Sequence, residues 1–480
     1  MARNFPTSRG WKAVTLPLAL PIQPGVSLLV MTCDRLDHDG LGVAEVQDQA
    51  DRFRLHVAGA LPGECVRARV AHVSPHAREQ GRDAWAELEE IVSASLERVA
   101  PPCPVQHRCG GCPLAGWAYA AQVEWKRGLV VEAMAAQEEL AQVPVAACVP
   151  SPRPFGYRGN SKYVFGPDRD GRLVLGAYAP RSHEIVDMSG CLIGEPALAE
   201  VAAALLTLLC KHTVAPFDEI LRTGLLRYVI LRANADGKVL VALVTGREDW
   251  PQAETLAREL AAACPAVLGV VHNINSATGN TLFGEQEHLL FGCATIEDTI
   301  GPARVRLGPR SFAQANRLVA GRAYQDIVAA AAGLGSIGRV VDAYAGAGGI
   351  ALALAPLARE VVAIEENPAA CATAQAFLAE RAPERNVRIV IGDVADHLAR
   401  VGTADVVVLN PPRKGCSPAV LEAVVQLRPR LVAYLSCSPD SLARDLVALA
   451  RLGLRTVSVT PYDMLPHTQH VEALALLGDG

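Results

Sequence analysis

The last third of the chain alternates short apolar runs with longer segments of helical periodicity. Short apolar runs bounded by turns are typical of strands buried on both faces, and such strands followed by helices form parallel sheets. The predicted strands are 339–343, 361–365, 387–391, 404–409, 430–435 and 455–460. The pattern therefore predicts a Rossmann-like, doubly wound α/β domain over 326–480.

The segment 25–95 has a different pattern, with short strand-like runs separated by turns that contain glycine and proline. Strands are predicted at 27–33, 43–46, 53–57 and 65–73. Many short strands separated by turns indicate a small, OB-like β-barrel. Such barrels often bind oligonucleotides, although a structural role is nearly as common. Residues 1–24, which precede this segment, are expected to form a disordered tail.

Between these two segments, 96–325 mixes strand and helix patterns and is predicted to be a central α+β domain. The predicted helices are 119–142 and 196–211, and the predicted strands are 161–165, 173–178, 226–233 and 238–245. The length of 480 residues fits three domains that each bury a core of their own.

Composition excludes some classes of protein. Of the residues, 50% are hydrophobic and 20% are charged, as in ordinary soluble globular proteins. No apolar run approaches the roughly 18 residues that a membrane-spanning helix needs. The apolar segment near the amino terminus resembles a signal peptide only faintly, because Pro17 and Pro21 interrupt it and no small-residue cleavage site follows. We therefore expect a cytoplasmic protein that is not bound to a membrane.

Charge and cysteine content point to local sites. The protein has 45 basic and 50 acidic residues and thus a negative net charge, so no overall positive potential attracts it to nucleic-acid phosphate groups. The segment 153–181 is nevertheless basic and carries four aromatic residues, so it is either an RNA-contacting patch with stacking surfaces or a solvated basic hairpin. Its relevant residues are Arg153, Phe155, Tyr157, Arg158, Lys162, Tyr163, Phe165, Arg169, Arg172 and Arg181. The odd number of cysteines, 13, favours metal binding and catalysis over a disulfide framework.

A glycine-rich turn follows the first strand of the doubly wound domain. This turn contains Gly346 and Gly348, and glycine permits close backbone approach to a ligand at the carboxyl edge of a sheet. The next strand ends at Glu365, which is placed to hold ribose hydroxyls, and Asp393 after the third strand is placed to contact an adenine. The full G-x-G-x-x-G pattern of nicotinamide dinucleotide sites is missing, so we favour S-adenosylmethionine as the cofactor.

Two cysteines near the carboxyl edge are candidate nucleophiles. Carbon 5 of uracil accepts a methyl group only after a thiolate has added to carbon 6, and a base must then remove the carbon 5 proton. Cys437 ends a buried strand just before a predicted helix start, whose positive terminus is expected to lower the thiol pKa, whereas Cys416 lies on a loop. For the base, the residues alone leave Glu472 and two histidines, His467 and His470, as candidates.

Three further cysteines form a motif of their own. Cys103, Cys109 and Cys112 have the spacing C-x5-C-x2-C, with two glycines forming the turn between the last two. Clustered thiols of this kind indicate a metal site whose fourth ligand comes from elsewhere. Zinc and an iron-sulfur cluster satisfy this spacing equally well.

Taken in order, these motifs resemble the iron-sulfur RNA 5-methyluridine methyltransferases, which act on ribosomal or transfer RNA. The resemblance covers nearly the whole chain and makes the amino-terminal barrel a TRAM domain. It implies a 4Fe-4S cluster whose fourth ligand is Cys191, in a segment Ile-Val-Asp-Met-Ser-Gly-Cys. It also implies Cys437 as nucleophile, in Ser-Cys-Ser-Pro, and Glu472 as base, at the end of the segment 465–472.

The resemblance completes the expected cofactor site, because Gln314 lies in a segment similar to the family's F-x-Q-x-N element. The candidate cofactor contacts are then Gln314, Asp342, Tyr344, Gly346, Gly348, Glu365, Asp393 and Asn410. The expected protein is a monomer that acts on RNA, 23S ribosomal RNA before transfer RNA, and not on DNA.

One residue departs from the family pattern. Asn410, in the segment Asn-Pro-Pro-Arg, stands where the family usually has an aspartate that contacts N3–H of uracil. An amide oxygen accepts the same hydrogen bond, but a flipped amide donates one and would suit cytosine. An RNA cytosine-C5 methyltransferase therefore stays open as an alternative. A non-catalytic RNA-binding iron-sulfur protein is a second, separate alternative, against which the presence of Cys437, Glu472 and Gln314 together argues.

Overall fold

The computed structural model of the protein describes residues 22–48, 51–78, 81–180, 182–279, 281–381 and 386–478. The disordered tail expected at 1–24 falls almost wholly outside the described residues, as does Arg181 of the basic segment. The described residues up to Pro101, together with Pro113–Ala118, form one compact unit. Pro102–Cys112 and the rest of the chain from Tyr119 form a second compact unit.

The first unit is built on a six-stranded sheet. Its strands are β1 (Leu28–Thr32), β2 (Arg35–Leu36), β3 (Gly42–Gln47), β4 (Arg52–Val57), β5 (Cys65–Arg78) and β6 (Gly81–Ser93), in the order β1-β5-β6-β4-β3-β2. The four predicted strands are confirmed, whereas β6 was not among them. Alternate residues of β4, namely Phe53, Leu55 and Val57, face a buried core, which explains the strand pattern in the sequence. Closure of this sheet into a barrel stays a prediction.

The second unit begins with a seven-stranded mixed sheet covered by helices. Helices α1 (Gln106–Cys109) and α2 (Tyr119–Ala135) precede this sheet in the chain, and α2 packs into the core of the last sheet of the chain. Helices α3 (Pro196–Lys211) and α4 (Ala253–Ala263) pack on the mixed sheet. Its strands are β7 (Asn160–Pro167), β8 (Leu173–Tyr178), β9 (Ile185–Asp187), β10 (Leu226–Ala233), β11 (Val239–Thr245), β12 (Val267–Ile274) and β13 (Gln286–Gly292), in the order β13-β12-β11-β10-β7-β8-β9. The predicted helix at 119–142 is too long, because extended backbone at Gln137 ends it and lets Leu140 pack into the core.

A two-stranded hairpin and one helix connect this sheet to the next. The hairpin consists of β14 (Ile296–Ile300) and β15 (Ala303–Leu307), and the helix is α5 (Arg317–Ala332). Asn316 caps this helix, because its side chain accepts a hydrogen bond from the backbone N–H of Val319.

The last part of the chain is a doubly wound α/β layer structure, as predicted. Its strands are β16 (Ile337–Ala343), β17 (Ala358–Glu365), β18 (Val387–Ile391), β19 (Val406–Leu409), β20 (Leu431–Ser436), β21 (Arg455–Tyr462) and β22 (Glu472–Gly478). Its helices are α6 (Gly349–Leu354), α7 (Pro368–Arg381), α8 (Val394–Val401), α9 (Pro418–Gln426) and α10 (Pro439–Arg451). The strand order is β18-β17-β16-β19-β20-β22-β21. Strands β16 to β20 are parallel, and β22 is antiparallel to both of its neighbours, β20 and β21.

This sheet separates two hydrophobic cores. Within β19, Val407 and Leu409 pack into one core, while Val406 and Val408 pack into the other. Residues buried on both faces explain why these strands read as continuous apolar runs in the sequence. The parallel strands β16 to β20 also end along one edge, which brings the residues that follow them together.

Three of the four aromatic residues that were expected to stack, all in the basic segment 153–181, are not available as stacking surfaces. Tyr157, Tyr163 and Phe165 are buried in the second unit, so their rings cannot stack on a base at the surface. The interpretation as a stacking surface is therefore wrong for these three rings, whereas Phe155 is partly exposed. The alternative, a solvated basic hairpin, agrees with the antiparallel pairing of β7 and β8 and with the exposed side chains of Arg169 and Arg172. In the described part of the chain, no helix is long and apolar enough to cross a membrane.

Candidate active site

Cys437 and Glu472 lie opposite each other where β20 and β22 meet at the carboxyl edge of the sheet. The two strands are antiparallel, and Ser436 pairs with Ala473. The next opposed pair beyond them is therefore Cys437 and Glu472, and directly opposed residues of an antiparallel pair have neighbouring side chains. Both residues are only partly exposed. The sequence placed these two residues 35 positions apart, and the fold brings them into one site.

The electrostatics of this pair follow from burial. Burial raises the pKa of Glu472 from 4.5 to about 7. Burial also raises the pKa of the Cys437 thiol, and the negative charge of Glu472 raises it further. Cys437 does not raise the pKa of Glu472 in return, because the thiol is still neutral in the pH range in which the carboxyl group titrates. A carboxylate with a pKa near neutrality is suited to accept a proton from a reacting carbon.

The expected lowering of the Cys437 pKa is not found. The helix predicted after Cys437 is present as α10, and the Ser438 side chain caps it by accepting a hydrogen bond from Ser441 N–H. Burial and Glu472 nevertheless outweigh the groups that lower the thiol pKa, which include Arg413. The prediction was wrong because it took account of the helix terminus but not of the burial of the thiol or of the charge of Glu472.

The glycine-rich turn after β16 has the backbone that its sequence predicts. Gly346 and Gly348 have φ angles of 55° and 78°, in the left-handed region that favours glycine. Tyr344 shares this region with a φ of 64°, which is uncommon for a residue with a bulky side chain. Glu365 at the end of β17 accepts a hydrogen bond of 2.8 Å from Gly346 N–H. The two strand ends are thereby tied together around a crevice.

Asp342 lies beneath this turn and is only 1% exposed. One of its carboxylate oxygens accepts a hydrogen bond of 2.8 Å from Ala351 N–H in α6, whereas Oδ1 has no partner among the described residues. Burial raises the pKa of this carboxyl group to about 7. The side chain therefore holds the start of α6 from below.

The remaining candidate cofactor residues lie on loops. Asp393 caps α8 and accepts a hydrogen bond of 2.7 Å from Ala395 N–H, and it remains exposed. Asn410 follows β19 at the same edge and is partly exposed. Gln314 is partly exposed in the loop between β15 and α5. No described residue hydrogen-bonds to the side chains of Asn410 or Gln314, so both are free to contact a ligand.

The alternative thiol, Cys416, is enclosed in a polar network. It is 7% exposed, its backbone N–H donates to Asp445, and its side chain interacts with Tyr344 and Tyr434. Burial raises the pKa of its thiol to about 11. A buried, protonated thiol is a poor nucleophile.

The turn that precedes Glu472 is held by helix α2, a feature that the sequence did not reveal. The buried Lys126 ammonium lies 2.5 Å from Asp463 and donates a hydrogen bond of 2.9 Å to the carbonyl of Leu465. Gln122 accepts a hydrogen bond of 3.0 Å from His467 N–H. His467 itself is 4% exposed, and burial lowers its pKa. The histidine is thus a neutral part of the scaffold rather than an open base.

The motif cysteines come from two separate segments of the second unit. Cys103, Cys109 and Cys112 surround the short helix α1, and Cys191 follows β9. The four thiols are near enough that the other three raise the pKa of Cys112, which burial brings to about 12. Among the described residues, no group of three or more histidine, cysteine, aspartate or glutamate side chains is arranged to hold one metal ion.

Gly110, within this motif, has a φ of 67°. A Cβ atom at that position would lie 2.3 Å from the Pro180 side chain, so only glycine fits there. The turn between the last two motif cysteines therefore depends on this residue.

Comparisons with known proteins agree with the fold of the last part of the chain. A family profile described as "Methyltransferase small domain" matches residues 328–427. A protein of Halalkalibacterium halodurans described as an uncharacterized RNA methyltransferase is 35% identical over 452 residues, which cover 93% of this chain and 96% of the relative. A similarly described protein of Geobacter sulfurreducens is 36% identical over 470 residues, which cover 96% of this chain and 92% of the relative.

A solved structure is similar over almost the whole chain. The tRNA (uracil-54, C5)-methyltransferase of Pyrococcus abyssi, in complex with S-adenosyl-L-homocysteine, superposes with a TM-score of 0.72. The match covers 94% of this chain and 100% of the other, at 23% sequence identity. At this identity, the similarity shows a shared fold.

Proposed function

The chain belongs to the RNA methyltransferase family, and on that basis we propose that it methylates carbon 5 of a uridine in structured RNA, with S-adenosylmethionine as methyl donor. The observation that carries this proposal is the opposition of Cys437 and Glu472 at the carboxyl edge of the sheet. Methyltransfer to a ring nitrogen or to an amino group needs no covalent nucleophile. A thiol paired with a carboxylate of raised pKa fits carbon 5 chemistry.

The proposed reaction begins with the Cys437 thiolate. Its sulfur forms a bond to carbon 6 of the ring, and the electron pair of the 5,6 double bond moves to make an enolate. Carbon 5 then takes the methyl group of the sulfonium donor, which leaves as S-adenosylhomocysteine. Glu472 removes the carbon 5 proton, and the resulting electron pair re-forms the double bond and expels the thiolate. The net change is a methyl group gained and one proton released.

The donor would bind in the crevice after β16. Backbone groups of the Gly346 and Gly348 turn can approach the donor closely, Glu365 is placed for its ribose hydroxyls, and Asp393 for its adenine. Asp342 would stabilise the turn from below, while Tyr344 and Gln314 border the crevice. This assignment is supported by the parallel strands that end there.

In this proposal, Cys103, Cys109, Cys112 and Cys191 hold a 4Fe-4S cluster. When bound, the cluster would supply positive charge that offsets the four thiolates and would tie the 103–112 segment to the end of β9. Four cysteines on two neighbouring segments supply the four thiolate ligands that such a cluster needs. No step of the methyl transfer uses electron transfer, so the proposed role is structural.

We propose that the chain is organised into three functional domains. Residues 25–95 would form an RNA-binding TRAM barrel, 96–325 the central domain with the cluster, and 326–480 the methyltransferase domain. We propose that the protein acts as a monomer on RNA, with 23S ribosomal RNA as the first candidate and transfer RNA as the second.

A second candidate function follows from Asn410. Its amide is partly exposed and has no hydrogen-bond partner among the described residues, so it can present either its oxygen or its nitrogen. An amide nitrogen donates to N3 of cytosine, whereas the oxygen accepts from N3–H of uracil. The covalent chemistry at Cys437 is the same for both rings. The alternative is therefore an RNA cytosine-C5 methyltransferase.

Nucleoside analysis separates these candidates. Ribosomal and transfer RNA from a strain that lacks the gene are digested to nucleosides, and mass spectrometry compares them with RNA from the parent strain. The proposal predicts the loss of 5-methyluridine at one or a few positions, restored by the purified protein and S-adenosylmethionine. Loss of 5-methylcytidine would instead support the second candidate. Unchanged methylation in both RNAs, with no transfer by the purified protein, would contradict both.

A further inference from the structure

Helix α10 holds the loop 410–416 at two successive carbonyl groups. The hydroxyl group of Ser441 donates a hydrogen bond of 2.9 Å to the carbonyl oxygen of Arg413. The guanidinium group of Arg444 donates one of 2.8 Å to the carbonyl oxygen of Lys414. Prolines lack a backbone N–H donor, so contacts from the helix contribute strongly to the position of this loop.

Asp445, on the same helix, completes the contact. Its Oδ2 accepts hydrogen bonds from the backbone N–H of Cys416 at 2.8 Å and from the hydroxyl group of Tyr434 at 2.6 Å. Its Oδ1 accepts two more from Arg444. The side chain is 1% exposed, so this buried carboxylate is stabilised by donors from the loop, the sheet and its own helix.

Close packing confirms that the loop is built against the helix. Gly415 has a φ of 78°, and a Cβ atom there would lie 2.4 Å from both Arg444 and Asp445. Only glycine therefore allows the loop to approach these side chains. The backbone conformation and the steric fit both require the same residue.

A chain of hydroxyl groups links this contact to the nucleophile. Ser438, the residue after Cys437, donates a hydrogen bond of 3.1 Å to Ser441 Oγ. Ser441 in turn donates to Arg413, so one side chain bridges the two segments that carry the thiol and the guanidinium group. A displacement of the loop must break at least one of these bonds.

We propose that Ser441 and Arg444 are positioning residues that hold the loop 410–416, with Asn410 and Arg413, against the Cys437 thiol. This inference rests on the proposed function for its role in methyl transfer, but the positioning itself does not depend on it. Neither residue touches the reacting atoms. Both act through the backbone of the loop.

The Arg413 guanidinium provides a way to observe the loop position. Two charged groups act on Cys437: Glu472 from β22 raises the thiol pKa, and Arg413 from the loop lowers it. If the loop moves away from the thiol, the lowering of the thiol pKa by Arg413 is lost while the raising by Glu472 remains, so the thiol pKa increases. The reactivity of Cys437 toward a small alkylating reagent, measured against pH, therefore reports the loop position without RNA or a methyl donor.

The test compares Ser441→Ala and Arg444→Met with the wild-type full-length protein. Iodoacetamide is applied across a range of pH values, and mass spectrometry quantifies alkylation of the peptide that contains Cys437. We expect the alkylation midpoint to move to higher pH in both variants. In methyl-transfer assays, we expect kcat to fall by about 10- to 100-fold while the KM for RNA stays unchanged, because misplacement affects the reacting geometry rather than RNA binding.

The chain offers a matched control. Arg451 is on the same helix, its side chain is 72% exposed compared with 58% for Arg444, and it pairs with Glu139 rather than with the loop. Arg451→Met should leave both the alkylation profile and kcat unchanged, and Ser441→Thr should restore the wild-type profile because it keeps the hydroxyl group.

Wild-type alkylation profiles and kcat values in both Ser441→Ala and Arg444→Met would overturn the inference. If the wild-type protein transfers no methyl group to any RNA, the proposed function fails instead. The alkylation profiles still test the positioning role in that case, because the alkylation measurement requires neither RNA nor the methyl donor.

Discussion

Replacing Glu472 with glutamine removes the proposed base and keeps the size of the side chain. Burial raises the pKa of this carboxyl group from 4.5 to about 7, which corresponds to about 3 kcal/mol of unfavourable energy for its ionised form. The protein therefore holds an energetically costly carboxylate next to the thiol. A general base benefits from this shift, because a carboxylate with a pKa near 7 accepts protons well at neutral pH.

The direction of the pH dependence follows from this shift. The ionised carboxylate is the active form, so activity is lost as pH falls through about 7, rather than near 4.5 as for an ordinary glutamate. At pH 6, only about a tenth of the molecules carry the charged base, and the rate of proton removal and product release should fall about tenfold for each further pH unit. The thiol pKa is also raised, so the rate of adduct formation, which needs the thiolate, should continue to rise on the alkaline side.

The assay is a single-turnover measurement of the release of free methylated RNA, with labelled S-adenosylmethionine as donor, together with a denaturing gel that separates this product from covalent protein–RNA adducts. Glu472→Gln should lower the rate of this release by about 100-fold or more, remove its pH dependence near neutrality and accumulate the methylated adduct, because the thiol can no longer be expelled. Normal turnover by Glu472→Gln would refute this reasoning, and so would a wild-type rate that is flat between pH 5 and pH 7.

Three other substitutions test separate parts of the account. Cys437→Ala should abolish methyl transfer in a folded protein, whereas Cys416→Ala should retain it; transfer by the first variant would remove that thiol from the mechanism. Asn410→Asp should leave methylation of uridine intact or improved, as measured on RNA transcripts, and complete loss would show that the amide has another role. Lys126→Met breaks a fully buried ion pair and should lower the free energy of unfolding by about 3–5 kcal/mol. The exposed ion pair of Lys211 is the control: Lys211→Met should cost about 1 kcal/mol or less, and equal thermal unfolding midpoints for the two variants would contradict the argument.

The strands of the doubly wound domain could be predicted because their apolar runs report burial on both faces. Within β19, successive valines pack into opposite cores, so the continuous apolar run in the sequence corresponds to burial on both faces of the sheet. Strands β12 and β13 of the central sheet were not predicted. Strand β13 has mostly exposed residues and no clear apolar pattern, whereas β12 is mostly buried and was still missed. Exposure therefore explains only some of the missed strands.

The site could be predicted only as far as local motifs reach. The positions of Cys437 and Glu472 follow from strand ends, but the residues that support them come from distant parts of the chain. Lys126 and Asp463 are separated by 337 positions, and no periodicity relates them. The pKa of the thiol was predicted in the wrong direction for the same reason, because burial and the charge of a neighbouring strand are properties of the tertiary structure.

The central claim is that the sulfur of Cys437 forms a bond to carbon 6 of the target pyrimidine. RNA that carries 5-fluorouridine at the target position tests it directly, because fluorine at carbon 5 cannot be removed as a proton and the adduct is trapped after methyl transfer. Digestion with protease and nuclease, followed by mass spectrometry, should find the methylated fluorouridine attached to the peptide that contains Cys437. Attachment to the Cys416 peptide, or methylated RNA with no attached peptide, would contradict the account.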